Sequence, residues 1–239
     1  MNIALIFAGG TGHRMNTKIT PKQFLNVNGK PIIIHTLEVF EQHPLIDAIV
    51  ISCLSGYEEW LNDRVKQFNI KKVKEIVVGG KTGQLSIKNG LEKIYELFPD
   101  DSIVLIHDGV RPLVDHKTIT KNIECVNAYG NAVTVTPATE TVGVVDNEGS
   151  ISEILKRDRL VICRAPQSFI LRDVINIHRK FYQIGSINNT DTASLMRQSG
   201  IKLNMVEGSV YNIKITTQKD FYTFKNFLDR NEFNQLLEE

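Results

Sequence analysis

With 239 residues, 42% of them hydrophobic and 23% charged, the chain has ordinary globular balance and length for one full-sized domain, with or without a projecting arm. A formal net charge of +1 gives no global field to recruit nucleic acid or an anionic membrane, so any handling of phosphates rests on a local basic cluster. Cys53, Cys125 and Cys163 form neither a zinc pattern nor a disulfide framework, and the start MNIALIFAGG reads as neither signal peptide nor membrane span, so a cytoplasmic protein is expected.

Residues 3–7 are a continuous apolar run ending in Gly9-Gly10, the pattern of a strand buried on both faces. Residues 31–40 read as a helix with Ile33, Leu37 and Phe40 on one stripe. A strand over 48–52 and a helix over about 56–68 follow. Residues 75–78 form a strand closing on Gly79-Gly80, after which Leu85, Ile87, Leu91 and Ile94 recur at helical spacing. Residues 102–106 are the best central-strand candidate and deliver His107-Asp108 at their end; another strand covers 132–136. This β-α-β-α order predicts an α/β fold, a Rossmann-like, mostly parallel twisted sheet with helices on both faces. Right-handed crossovers place the strand C-termini along one edge, where ligands of open α/β sheets bind.

From about 139 to 162 the rhythm breaks into hairpin-like alternation, with Asp146-Asn147-Glu148-Gly149 as the turn. We expect one domain over residues 1–239 with this segment as a projecting β-arm. An extra edge hairpin and an arm reaching a second subunit both fit the pattern. Residues 211–217 read as a β-type stretch in which Lys214, between two isoleucines, faces either water or the cleft.

Three constellations carry candidate chemistry. The run Ala8-Gly9-Gly10-Thr11-Gly12-His13-Arg14-Met15, followed by Pro21-Lys22-Gln23, lets the backbone turn tightly and bring N–H groups to an anion. It is not a Walker A loop, which needs Lys-Ser/Thr after its last glycine, and Met15 stands where the dinucleotide fingerprint needs its third glycine. The cations Arg14 and Lys22 distinguish it, because phosphoryl and nucleotidyl transfer need positive charge where negative charge accumulates. His107-Asp108-Gly109-Val110-Arg111-Pro112 puts a carboxylate suited to Mg²⁺ at a strand end. His107 reads equally as a core residue, and Arg111 as a partner of Asp108 or an orderer of the site. Lys214 is the third candidate. Thr141, Arg157 and Thr190-Asp191 have no motif logic of their own, and Trp60 reads as core packing.

Taken together, A-G-G-x-G-x-R-M with P-K-Q-F, G-G-(x)₅-S-(x)₃-G-L, H-D-x-V-R-P, A-P-Q-S-F and N-I-K-I-T resemble the sugar-alcohol-phosphate cytidylyltransferases over roughly residues 3–225. The resemblance implies transfer of CMP from CTP to a polyol phosphate, with Mg²⁺ or another divalent cation. It implies that Ala8, Gly9, Gly10, Thr11 and Gly12 wrap the nucleotide, that Gly80 and Ser86 help recognise cytidine, and that Asp108 and Gly109 lie near the ribose and the metal. Arg14, Lys22 and Lys214 match catalytic positions; Arg111, Thr141, Arg157 and Thr190 match the acceptor's side. The family's arm exchanges between subunits of a homodimer, which would carry Arg157 into the partner's site.

Some positions depart from the family pattern. Lys81-Thr82-Gly83-Gln84-Leu85 lacks the arginine that relatives carry near its middle, and Cys163-Arg164-Ala165-Pro166-Gln167 stands where many read Gln-Thr-Pro-Gln. Tyr211 precedes Asn-Ile-Lys, as in ribitol-type sequences, where erythritol-type ones often carry an acid. The expected acceptor is therefore D-ribitol 5-phosphate, of teichoic-acid and capsule synthesis. The alternatives are 2-C-methyl-D-erythritol 4-phosphate, of isoprenoid synthesis, and a catalytically weak nucleotide-binding regulator.

Overall fold

The structure is a computed structural model that describes residues 1–10, 20–185 and 191–238, with side chains to residue 230. In chain order its elements are β1 (Asn2–Ala8), β2 (Asn26–Val27), β3 (Lys30–Pro31), α1 (Ile32–Gln42), β4 (Ala48–Cys53), α2 (Glu58–Gln67), β5 (Val73–Val78), α3 (Gly83–Leu97) and β6 (Ile103–Asp108). Then come α4 (His116–Tyr129), β7 (Asn131–Pro137), β8 (Gly143–Val145), β9 (Ile151–Ile154), β10 (Val161–Ile170), α5 (Leu171–Gln183), α6 (Thr192–Gln198), β11 (Met205–Glu207) and α7 (Gln218–Glu238).

Seven of the described strands make the main sheet, in the order β11-β7-β10-β6-β1-β4-β5. Its pairings are parallel except those of β10, which runs antiparallel to both β6 and β7. The expected Rossmann-like, mostly parallel sheet is therefore present. β1 shows why a continuous apolar run is needed at its centre. Alternate residues serve two cores: Ala4 and Ile6 pack with Ile33, Leu37 and Phe40 of α1, while Ile3 and Leu5 pack with Ile87, Leu91 and Ile94 of α3. Fully burying one such aliphatic side chain contributes roughly 1.5–3 kcal/mol, so β1 anchors both layers.

Parallel register aligns the strand ends. Ala8 lies opposite Cys53, Cys53 opposite Val78, and Phe7 opposite Asp108. The loops after β1, β5 and β6 thus emerge along one edge. Local signals stop and start the neighbouring helices: Thr82 caps α3 by accepting from Leu85 N, Asp115 caps α4 through Thr118 N, and Asp191 caps α6 through Ser194 N. α4 ends at Gly130 in the left-handed region, φ 81°.

β8 and β9 form a separate two-stranded sheet with no described ladder to the main sheet. Asp146 Oδ1 closes their turn by accepting from Glu148 N and Ser150 N. The projection is shorter than the segment 139–162 expected for it, because Val161 and Ile162 already pair with Pro137 and Thr136 in the main sheet. Residues 211–217 differ more. They form no strand: Ile215 N donates to Val110 O, Ile213 N turns back to Tyr211 O, and Asn212 is buried with its side chain on Ala165 O. The segment crosses over strand ends, where no strand edge offers it a ladder. Among the described residues no helix is long and apolar enough to cross a membrane.

Candidate active site

The glycine loop is shaped from beneath. Gln23, 1% exposed, lies in the 3₁₀ turn Lys22–Phe24, and its Nε2 donates to Ala8 O at 2.8 Å and Gly10 O at 2.9 Å. With the carbonyls drawn back into protein, the other side of the loop is left to face a ligand. Close approach explains Gly9: a Cβ there would stand 2.4 Å from Ser86 Oγ. Ser86 in turn accepts from Gly80 N at 3.0 Å and donates to Thr82 O at 2.9 Å, tying the loop after β5 to the start of α3. Gly109 is stitched to β1 and α1, its N donating to Phe7 O and its carbonyl accepting from Thr36 Oγ1.

Asp108 closes β6 and is 5% exposed. Its Oδ2 accepts from Arg111 Nε at 2.7 Å, and its Oδ1 pairs with Lys214 Nζ at 2.5 Å. Burial pushes the carboxyl up, but the charges and hydrogen bonds of Lys214 and Arg111 outweigh it and hold Asp108 well below the usual carboxylate range. Arg111 also donates through Nη1 to Asn212 O at 3.0 Å, so the residue before Ile213-Lys214 is tied to the same cluster. His107 faces the core. Its Nε2 meets Arg111 O at 3.0 Å, its ring lies 5.1 Å from that of Phe40, and burial pushes it down to about 4. A carbonyl partner requires a proton on Nε2, so neutral His107 braces the turn rather than facing a ligand.

Two adjoining cavities share Asp108 and Lys214. One, of about 330 Å³, is lined by Ala8, Gly9, Gly10, Lys22, Asp108 and Lys214 among others. The second, of about 240 Å³, extends past Asp108 to Arg111, Arg164, Gln84, Gln167 and Asp191. A larger open groove of about 660 Å³ against α2 and β5 touches none of these strand-end residues, so size does not locate the chemistry. Among the described residues no three His, Cys, Asp or Glu side chains group to form a metal cage. Asp108 is the carboxylate that lines the first cavity. One carboxylate beside a phosphate cradle suits Mg²⁺, which commonly keeps water and takes its other ligands from substrate phosphates.

The expected residues divide clearly. Ala8, Gly9, Gly10, Lys22, Asp108 and Lys214 meet at the first cavity, and Arg111 lines the second. Gly80, Ser86 and Gly109 form the supporting layer behind. Lys214 takes the cleft-facing alternative, with its neighbour Ile215 buried. Thr141 and Arg157 lie in the exposed segment bearing the arm and line neither cleft cavity; Arg157 Nη1 donates to Thr139 O at 3.2 Å. Thr11, Gly12, Arg14 and Thr190 lie outside the described residues. Three contributors had no role assigned from sequence: Gln23, Arg164 and Asn212. The amide of Pro21-Lys22-Gln23, soon after the glycine loop, is a usable signal for Gln23, whereas Arg164 and Asn212 come together only through the fold.

Residues 2–230 match the family model described as IspD: 2-C-methyl-D-erythritol 4-phosphate cytidylyltransferase. The chain is 49% identical over 236 residues to the ribitol-5-phosphate cytidylyltransferase of Streptococcus agalactiae serotype Ia, covering 99% of each chain. It is 38% identical over 231 residues to the 2-C-methyl-D-erythritol 4-phosphate cytidylyltransferase of Syntrophus aciditrophicus, covering 96% of this chain and 97% of that one. The crystal structure of 4-diphosphocytidyl-2C-methyl-D-erythritol synthase from Anaerococcus prevotii matches its fold with a TM-score of 0.81 at 26% identity, over 95% and 96% of the two chains. The chain belongs to the IspD family of cytidylyltransferases.

Proposed function

Within that family, we propose that this protein transfers CMP from CTP to D-ribitol 5-phosphate, giving CDP-ribitol and pyrophosphate. The observation that carries the reaction type is the cluster of Lys214, Asp108 and Arg111 at the end of β6, facing the glycine loop and Lys22 across one cavity. The acceptor follows the relatives: the ribitol-5-phosphate enzyme from Streptococcus agalactiae is 49% identical and the methylerythritol enzyme from Syntrophus aciditrophicus 38%.

In this reading Ala8, Gly9, Gly10, Thr11 and Gly12 hold the nucleotide, while Gly80, Ser86 and Gly109 shape the walls around its base and ribose. An oxygen of the acceptor's phosphate attacks the α-phosphorus of CTP in line, and the bond to the β-phosphate's bridging oxygen breaks. A phosphate monoester is already anionic near neutral pH, so the attack needs no strong general base. Arg14, Lys22 and Lys214 neutralise charge gathering at the α-phosphate and on departing pyrophosphate. Asp108 would hold Mg²⁺ together with the nucleotide's phosphates, and the ion would supply further charge neutralisation there. Arg111 and Thr190 serve the acceptor. The arm exchanges within a cytoplasmic homodimer, placing Thr141 and Arg157 in the partner's site.

Pyrophosphate release from CTP with a panel of polyol phosphates tests this. The expected result is preference for D-ribitol 5-phosphate over 2-C-methyl-D-erythritol 4-phosphate by at least about tenfold in kcat/KM. Reversed preference establishes the methylerythritol reading, which the family description favours. CTP binding with no pyrophosphate release for any acceptor establishes the regulator instead.

A further inference from the structure

The two arginines of the second cavity differ in how they are satisfied. Arg111 has a counter-ion: its Nε lies 2.7 Å from Asp108 Oδ2, and its Nη1 lies 3.0 Å from Asn212 O. Arg164 lies beside it on β10. Its Nε reaches Thr136 Oγ1 at 3.3 Å and its Nη1 reaches the same Asn212 carbonyl at 3.5 Å, both long for N–H···O bonds. No described carboxylate pairs with Arg164. Burial and the neighbouring Arg111 charge both disfavour its protonated form, and no acid offsets them. A half-buried guanidinium without a counter-ion is costly unless a ligand brings the anion.

Formal charge agrees. Arg111, Arg164 and Lys214 line this cavity against Asp108 and Asp191, an excess of one positive charge among the described residues. Asp108 is already shared by Arg111 and Lys214, and Asp191 caps α6 while accepting from Gln167. The Gln84 side chain, 4% exposed, lines the cavity as well, and its Oε1 has no partner among the described residues. That is an acceptor awaiting a donor such as a hydroxyl.

We infer that Arg164 binds the phosphate of the polyol-phosphate acceptor, fixing that group beside Lys214 in the cavity that runs from Asp108 to Gln84. This rests on the proposed transfer to a polyol phosphate. Arg164 touches an anion present in both ground and transition states, so its contribution falls on acceptor KM rather than kcat. Its fork suits a phosphate better than a single ammonium would.

The test is steady-state kinetics of Arg164→Gln and Arg164→Lys, with D-ribitol 5-phosphate and with a poorer polyol phosphate, alongside melting curves. In Arg164→Gln, acceptor KM is expected to rise about tenfold to a hundredfold, with CTP KM changed less than about twofold. Arg164→Lys should recover part of the loss by restoring the charge. A phosphate contact raises KM by the same factor for both acceptors. Unequal factors mean that Arg164 reads hydroxyls, and they overturn the assignment. A rise in both substrates' KM together with a lowered Tm means that it only braces Thr136 and Asn212, which overturns it too. An unchanged acceptor KM also overturns it while leaving the cytidylyltransferase standing; a wild-type enzyme that turns over no polyol phosphate removes both.

Discussion

At the end of β6, Asp108 is 5% exposed and both its oxygens are engaged by cations of its own chain, one of them 106 residues away in sequence. On the arm, the facing pair Val145 and Ile151 are 62% and 68% exposed, and β8 and β9 pair only with each other among the described strands. One region completes itself. The other has β-rich apolar surface and nothing described to cover it, and an isolated two-stranded hairpin is marginal in water at best. The cleft should therefore answer to substitutions within one chain, and the arm to what a second copy brings.

The largest effects belong to the cleft. Lys214→Ala is expected to lower kcat roughly 10²–10³-fold, the scale of removing one preorganised charge from a transition state, with the fold retained because Lys214 is partly exposed. Asp108→Asn should lose activity and stability together. It leaves Arg111 buried beside a neutral amide, and breaking a buried pair costs about 3–5 kcal/mol. Stopped-assay kinetics and thermal melts of the two variants check this. A loss under about threefold for Lys214→Ala would mean that the cluster is only structural, and would erase the contrast with the arm.

The same contrast governs what could be read from sequence. Continuous apolar runs mark β1, β4 and β6, because a strand buried on both faces must be apolar throughout, and the loops after them inherit a common edge. Asp108 and the glycine loop were legible for that reason. β10 was not: its antiparallel insertion between β6 and β7 sets Arg164 beside Arg111, which no local pattern announces. Lys214 was legible as a cation between isoleucines but not as part of an irregular segment, since its backbone follows the ends of other strands. Gln23 was visible, yet its role depends on carbonyls 15 and 13 residues earlier.

Acid should separate the regions next. His107 and His178 are both fully buried in the packed layers around the cleft, and burial pushes each from 6.5 down to about 4. The unfolded chain takes up their protons as pH falls through 6.5, whereas the folded protein takes none until about 4. Stability conferred by holding them neutral is therefore present above 6.5 and lost as pH falls between 6.5 and 4. Each site contributes about 1.4 kcal/mol per pH unit at most across that window. His107→Asn keeps a donor for the Arg111 carbonyl and should lessen the pH dependence of Tm without abolishing it, since burial also lowers His178, His35 and His43. Residues 138–160 carry no histidine, so substitutions there should leave the slope unchanged. A wild-type Tm that is flat from pH 6.5 to 4 would contradict the burial argument.

The smallest signal decides the arm. Arg157 is exposed and lines neither cleft cavity of its own chain, so exchange between subunits makes a directional prediction. Arg157→Ala and Lys214→Ala should each be nearly inactive as separate preparations. Mixed and allowed to re-equilibrate, they form heterodimers in which one site has lost both groups and the other has kept both. With random pairing of equal amounts, half the dimers are mixed, so about a quarter of all sites should be intact and activity should return to about that fraction of wild type. If Arg157 serves its own subunit, every site in the mixture lacks one group and no activity returns. Ile151→Asp in both chains adds a check, because it removes the apolar partner of Val145 while touching no element of the main sheet. It should abolish the rescue by weakening the subunit contact while each subunit keeps its own fold, since Ile151 is 68% exposed within its own chain. Rescue that survives Ile151→Asp would place the subunit contact elsewhere on the molecule.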